Sequence, residues 1–178
     1  MRHGTGAFLG ALIVILAPLS ICGQRSAPVV PAEPKPPDGA KLVLQAFAQG
    51  DQIYTCKEQN GQYSWALKAP EAQLSDQDGK PLGRHFAGPS WELNDKSAVT
   101  GKMIAHADSP DKDAIPWLLV GVVDHSGNGL LTNVTYIQRV DTKGGKAAAT
   151  GCDAPHAGQE VRFPYSAKYL FYESKPAK

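Results

Sequence analysis

Residues 52–68 read QIYTCKEQNGQYSWALK, and this stretch decides the fold class. Two runs rich in β-branched and aromatic residues flank the dipeptide Asn60-Gly61. That dipeptide between two such runs is a strong short-range signal for a β-hairpin, because both residues adopt positive φ at low cost. The stretch therefore predicts two antiparallel strands joined by a tight turn.

Similar short runs continue on both sides of this hairpin, and turn sequences containing glycine, aspartate or asparagine separate them. After residue 39, no segment carries apolar residues at helical spacing over three turns. The predicted strands cover residues 41–48, 52–57, 62–68, 72–75, 80–86, 97–107, 117–123, 133–141, 160–163 and 167–173. We therefore predict an all-β domain, an antiparallel sandwich or barrel of about ten short strands.

Some predicted strands alternate between two faces, as a half-buried strand should. In residues 133–141, one face carries Val134, Tyr136, Gln138 and Val140, and the other carries Thr135, Ile137 and Arg139. Residues 116–120 are instead apolar on both faces, which predicts a fully buried strand that places Trp117 in the core.

The N-terminal 23 residues have the features of a signal peptide. Arg2 and His3 precede an apolar run over residues 7–21, and the small residue Gly23 follows it. The run is short for a bilayer span, although a permanent N-terminal anchor is the alternative. We therefore predict an exported protein with a periplasmic or extracellular location.

Residues 24–39 form the predicted link between this segment and the domain. Five prolines lie between positions 28 and 37, which favours an extended, semi-rigid tether. Residues 40–174 are predicted to form a single domain, and residues 175–178 a tail. Cys22 raises a second possibility, because a cysteine directly after the apolar run resembles the lipidation site of a bacterial lipoprotein. Ile21 departs from that motif, which expects a small residue there.

Charge argues against some classes of partner. The chain has 18 lysines and arginines and 17 aspartates and glutamates, and Arg2 is the only charged residue of the signal segment. The mature chain is therefore balanced and has no basic run. We expect no nucleic-acid partner, and membrane contact only through a lipid anchor or an uncleaved signal.

Two cysteines, Cys56 and Cys152, lie in the predicted domain. In an oxidising compartment such a pair usually forms a disulfide. Two buried free thiols are the alternative.

A series of ordered motifs resembles a known family. The motifs are Tyr54-Thr55-Cys56, Trp65, Ala69-Pro70-Glu71-Ala72, Asp78-Gly79, His85-Phe86, Gly88-Pro89-Ser90-Trp91, Ala114-Ile115-Pro116-Trp117-Leu118-Leu119, Val134-Thr135-Tyr136-Ile137-Gln138-Arg139-Val140, Gly144-Gly145, Gly151-Cys152, Pro164-Tyr165 and Phe171-Tyr172. Together they resemble domain-of-unknown-function family 3455, exported proteins of bacteria and fungi, over residues 44–172. The resemblance implies no activity, substrate or cofactor. It agrees with pairing of Cys56 and Cys152, since both lie within its motifs.

Aromatic residues provide the candidate binding site. Trp91 follows a loop-like Gly-Pro-Ser entry, and an exposed tryptophan on a β surface can stack on a sugar or anchor a partner. His85 lies among the family motifs, and Glu92 is adjacent to Trp91. We predict ligand contacts from Trp91, His85, Trp65 and Glu92. The alternative is that the tryptophans pack in the core.

Catalytic and metal motifs are weak. No histidine pair has the spacing of a metal site, and the chain lacks both Gly-x-Ser-x-Gly and the Gly-x-Gly-x-x-Gly of dinucleotide sites. We expect no metal and no cofactor. Our leading hypothesis is a binding module for a carbohydrate, a small molecule or an envelope protein. The alternative is a hydrolase of envelope or extracellular polymer that uses acidic residues, such as Glu71 and Glu92, or a histidine.

Overall fold

The structure, a computed structural model, describes Met1 and residues 33–174. Eight antiparallel strands form one sheet that closes into a barrel in chain order. The strands are β1 (Lys41–Gln59), β2 (Gln62–Ser75), β3 (Pro81–Phe86), β4 (Ser90–Leu93), β5 (Ala98–Ala107), β6 (Trp117–Ser126), β7 (Val134–Gly144) and β8 (Glu160–Glu173). A 3₁₀ helix, Ala154–His156, lies between β7 and β8. The predicted all-β class is confirmed, and of the two predicted architectures the chain adopts the barrel.

Several sequence predictions lie outside the described residues. These are the signal segment 1–23 beyond Met1, the lipidation site Cys22, the tether as far as residue 32, and the tail 175–178. The remaining part of the predicted tether contacts the barrel, since the Pro34 carbonyl accepts a hydrogen bond from Gln138 Nε2 at 3.1 Å. Within the described part of the chain, no helix has the length and apolar character needed to span a membrane.

The hairpin predicted from residues 52–68 joins β1 to β2. Asn60 and Gly61 have φ values of 54° and 78°, both in the left-handed region that the tight turn requires. The ladder begins at once, with Gln59 opposite Gln62. The prediction is confirmed.

The barrel has eight strands rather than about ten because three predicted pairs are continuous. The predicted turn at residues 49–51 lies inside β1, and the gaps left between predicted strands at residues 69–71 and 164–166 lie inside β2 and β8. Gly50 stands opposite both Ala72 and Tyr165, so the three segments lie side by side across adjacent strands. Glycine there permits close strand approach, and proline is tolerated where a strand is irregular. These residues therefore lie within continuous strands and do not end them.

Strand β4, Ser90–Leu93, was not predicted. It has only four residues and follows Gly88-Pro89, which resemble a loop.

Irregular pairing also disturbs the predicted faces of β7, because register shifts occur between Val134 and Tyr136. Val134 and Ile137, predicted on opposite faces, are both fully buried in the core as a result.

The core fills the barrel interior, and β8 shows the alternation of inward and outward residues most clearly. In β8 the inward residues are Tyr165, Ala167, Tyr169 and Phe171, all at most 4% exposed, and the residues between them are half-buried. Trp117 is 6% exposed, in agreement with its predicted burial.

Cys56 and Cys152 form the predicted disulfide, with their Cα atoms 5.3 Å apart. Cys56 lies in β1 and is 1% exposed, and its backbone N–H and carbonyl bond to Gln159 and Gly158. The connection between β7 and β8 is therefore fastened to the end of β1.

We expect the double variant Cys56→Ala, Cys152→Ala to lose about 2–5 kcal/mol of unfolding free energy, because the disulfide closes a loop of 96 positions. Urea denaturation without reductant measures the difference. The reduced wild-type protein is the control and should unfold with the variant. Equal midpoints for the oxidised wild type and the variant would contradict this role.

We expect Gly50→Ala to destabilise the barrel by about 1–3 kcal/mol, because its Cβ would lie 2.1 Å from the Glu71 carbonyl oxygen. Gly121→Ala is the matched control. It also lies in a strand, and its Cβ would lie 3.4 Å from Ile104 Cγ2, an ordinary contact. Urea denaturation of both variants tests the close approach, which is disproved if the two substitutions have the same effect.

Candidate functional site

The barrel contains a cavity of about 330 Å³ that is open to solvent, and all eight strands contribute residues to its wall. Its base carries five polar side chains that are at most 9% exposed: Gln52, His85, Trp91, Arg139 and Tyr169. The rest of the wall is mainly apolar, with Leu118 and Val120 from β6 and Pro89 from the turn before β4. The interior therefore has a polar base and apolar walls.

The mouth of the cavity is apolar. Leu67 and Met103 line the cavity and are 56% and 52% exposed, so they lie where it meets solvent. Exposed large apolar side chains around an opening are typical of ligand-binding sites.

His85 and Trp91 form the centre of the base because β3 and β4 pair them directly opposite each other. Their rings stack with centroids 4.3 Å apart and an interplanar angle of 12°. Tyr169 packs edge-on against both rings, with centroids 5.1 Å from His85 and 5.5 Å from Trp91.

His85 is held in one neutral form. Its Nδ1 lies 2.9 Å from the Ser90 carbonyl oxygen, which can only accept, so Nδ1 carries the proton. Burial is the main cause that lowers the pKa of His85 from 6.5 to about 4. The hydrogen bond to Ser90 raises this pKa, and the positive charge of Arg139 lowers it further. At neutral pH Nε2 is therefore an unprotonated acceptor.

Arg139 supplies a positive charge at the base. It lies in β7 opposite Tyr169 of β8, and its Nε and Nη2 donate to the Pro116 carbonyl oxygen at 3.1 and 2.8 Å. Among the described residues it makes no ion pair. The guanidinium is thus fixed in place by a neutral acceptor.

Three further polar groups at the base lack partners. Gln52 Nε2, Trp91 Nε1 and the Tyr169 hydroxyl are buried without a hydrogen bond of ordinary geometry in the described part of the chain. The buried hydroxyl of Tyr165 interacts with Tyr169 and Gln52 but also lacks a hydrogen bond of ordinary geometry. Burial raises the pKa of Tyr169, against the effects of Arg139 and Tyr165, so its hydroxyl keeps its proton at neutral pH. The base therefore gathers donors from Gln52, Trp91 and Tyr169 beside one unprotonated acceptor.

The predicted site residues divide into two groups. Trp91 and His85 lie together in the cavity, but the expectation that Trp91 is exposed is wrong, because it is 1% exposed between His85, Tyr169 and Phe171. Trp65 lies away from the cavity, where its Nε1 donates to the Thr150 carbonyl oxygen at 3.0 Å.

Glu71 and Glu92, the carboxylates of the hydrolase alternative, do not line the cavity. Glu71 pairs with Arg162 at 2.8 Å, and Glu92 pairs with Arg84 at 2.9 Å. Both ion pairs are partly exposed to solvent.

The sequence predictions omitted Gln52, Arg139 and Tyr169. Arg139 had a signal, since it is a charged residue on the same predicted face as Ile137. Gln52 and Tyr169 had none, because nothing local distinguishes them from neighbouring polar and aromatic residues.

We expect His85 to make the barrel less stable in acid. Between pH 6.5 and about 4 the unfolded chain binds a proton that buried His85 does not, so stability falls by about 3 kcal/mol in total as the pH falls. In His85→Phe, the loss of unfolding free energy from pH 7.5 to 4.5 should be smaller by about 2–3 kcal/mol. Urea denaturation at both pH values measures this, and parallel losses in the two proteins would rule it out.

Comparison with known proteins identifies the family. The sequence profile described as "Protein of unknown function (DUF3455)" matches residues 36–173, which include all eight strands and the whole cavity lining. No curated protein and no solved structure matches the chain significantly. The chain therefore belongs to the DUF3455 family.

Proposed function

We propose that this protein is an exported binding domain that holds one small, mainly apolar molecule inside its barrel. The observation that carries the proposal is the cavity lined by all eight strands, with unbonded polar groups at its base. Barrels of eight strands have an interior just wide enough to be filled by side chains or to hold one small ligand. A volume of about 330 Å³ lies at the lower end of the range for small-molecule sites.

The energetics of the base support binding. A buried polar group without a partner costs about 1–3 kcal/mol. Gln52, Trp91 and Tyr169 each carry such a group, and all three line one cavity. A ligand that accepts their hydrogen bonds would remove these costs.

The composition of the wall favours a small molecule over the other ligands considered from the sequence. A carbohydrate needs hydrogen-bonding groups along its length. The cavity wall is instead formed largely by apolar side chains, those of Leu67, Pro89, Met103, Leu118 and Val120. A folded protein cannot enter the interior. The apolar N-terminal segment and the Cys56–Cys152 disulfide support action in an oxidising compartment outside the cytoplasm.

We expect N-phenyl-1-naphthylamine, a neutral apolar dye, to bind saturably at one site per chain with a rise in fluorescence. Ala69→Trp should weaken binding roughly tenfold or more, because half-buried Ala69 lines the cavity and the indole would occupy it. Fluorescence titration gives the affinity.

The matched control is Ala105→Trp, which places the same indole on an exposed position of β5 outside the cavity. It should bind the dye as the wild type does. The proposal fails if the wild type shows no saturable binding, or if a folded Ala69→Trp protein binds with unchanged affinity.

A further inference from the structure

The base of the cavity contains a buried cation without a counter-charge. Arg139 is 9% exposed, and in the described part of the chain its two hydrogen bonds of ordinary geometry go to the carbonyl oxygen of Pro116. A carbonyl satisfies donors but does not neutralise a charge. Buried charges in proteins are normally paired, because an unpaired ion is costly away from water.

The groups around Arg139 are neutral. His85 is unprotonated because its pKa is lowered to about 4, and Tyr169 keeps its proton because burial raises its pKa. Gln52 carries no charge. The other cation of the lining, Lys68, is half exposed and pairs with Glu160 at 2.5 Å. No carboxylate of the described chain lines the cavity, so its base has one uncompensated positive charge.

Resting on the proposed function, we propose that the ligand is a monocarboxylic acid with an apolar body. Its carboxylate accepts hydrogen bonds from Arg139, with further donors available from Tyr169, Gln52 and Trp91. Its apolar body lies along Leu118 and Val120 toward the mouth.

Charge and polarity select this class of ligand. One guanidinium matches one negative charge, whereas a phosphate dianion would bring a second charge that the base does not balance. Arginine and carboxylate form charge-assisted hydrogen bonds that are stronger than those between neutral groups. The exposed Leu67 and Met103 at the mouth suit an apolar tail rather than a second charged end.

Displacement of bound N-phenyl-1-naphthylamine tests the assignment with two ligands of matched chain length, decanoate and decan-1-ol, at pH 7.5. We expect decanoate to bind roughly tenfold tighter or more. Equal affinities, or tighter binding of the alcohol, would overturn the assignment. This comparison needs no variant.

Variants locate the preference. Arg139→Gln should reduce the ratio of the decanoate and decan-1-ol affinities to about one, and Arg139→Lys, which keeps the charge, should retain part of it. Arg162→Gln is the control, because Arg162 pairs on the exterior with Glu71 and Asp51 and should leave the ratio unchanged. Circular dichroism and dye affinity identify the variants that keep the fold and the cavity. An unchanged ratio in folded Arg139→Gln would refute the role of Arg139.

The two proposals fail differently. If the wild type does not bind the dye, the proposal of an internal binding site is wrong, and the proposed ligand class is wrong as well. If the wild type binds the dye but does not prefer decanoate, the binding site stands and only the ligand class is wrong.

Discussion

The antiparallel pairing of the first strand with the last is the constraint on which the rest of the structure depends. It runs from Lys41 opposite Glu173 to Thr55 opposite Glu160, along most of β1 and all of β8. Without it the sheet would have two unpaired edges and no enclosed interior. Closure requires long strands, and Gly50, Pro70 and Pro164 lie at neighbouring register positions of β1, β2 and β8 without interrupting the ladder.

Closure creates an interior whose two parts differ in chemistry. Around Phe171, Leu74 and Ile137 the interior is a close-packed apolar core. Two residues along β8 from Phe171, Tyr169 begins the polar base of the cavity, which also holds Gln52 and Arg139. Apolar side chains of similar volume would fill this base without a desolvation cost. On the proposed function, this polar composition serves a ligand rather than the stability of the empty barrel.

Local patterns predicted the β1–β2 hairpin and the all-β class correctly. Asn60-Gly61 specifies its own turn through the φ values that it tolerates, and the all-β class follows from many short runs without helical spacing. The predicted turn at residues 49–51 is wrong, because glycine permits either a turn or a close approach of strands, and only the pairing of Gly50 with Ala72 and Tyr165 selects the second. The faces of β7 were also unpredictable, since a register shift near Val134 moves later residues to the other side.

Only part of the candidate site could be predicted from the sequence, for the same reason. His85 and Trp91 are close in sequence and belong to one hairpin, so local reading brought them together. Arg139 and Tyr169 meet them only because the barrel closes between β7 and β8. The sequence placed Arg139 on the same face as Ile137, but it did not show which of the two faces of the strand is the interior. Closure of the sheet determines which face becomes the interior, and only the pairing of the strands shows how the sheet closes.

Closure also determines how rigid each part of the cavity is. The two hydrogen bonds from Arg139 to Pro116 fix the guanidinium before any ligand arrives, and the stacking of His85 on Trp91 fixes the acceptor beside it. A fixed base loses little side-chain entropy on binding, so it discriminates sharply between head groups. Met103 at the mouth is exposed and unbranched, and methionine adapts to different shapes. On this proposal, selectivity lies in the charged head group, and tails of different shape are tolerated.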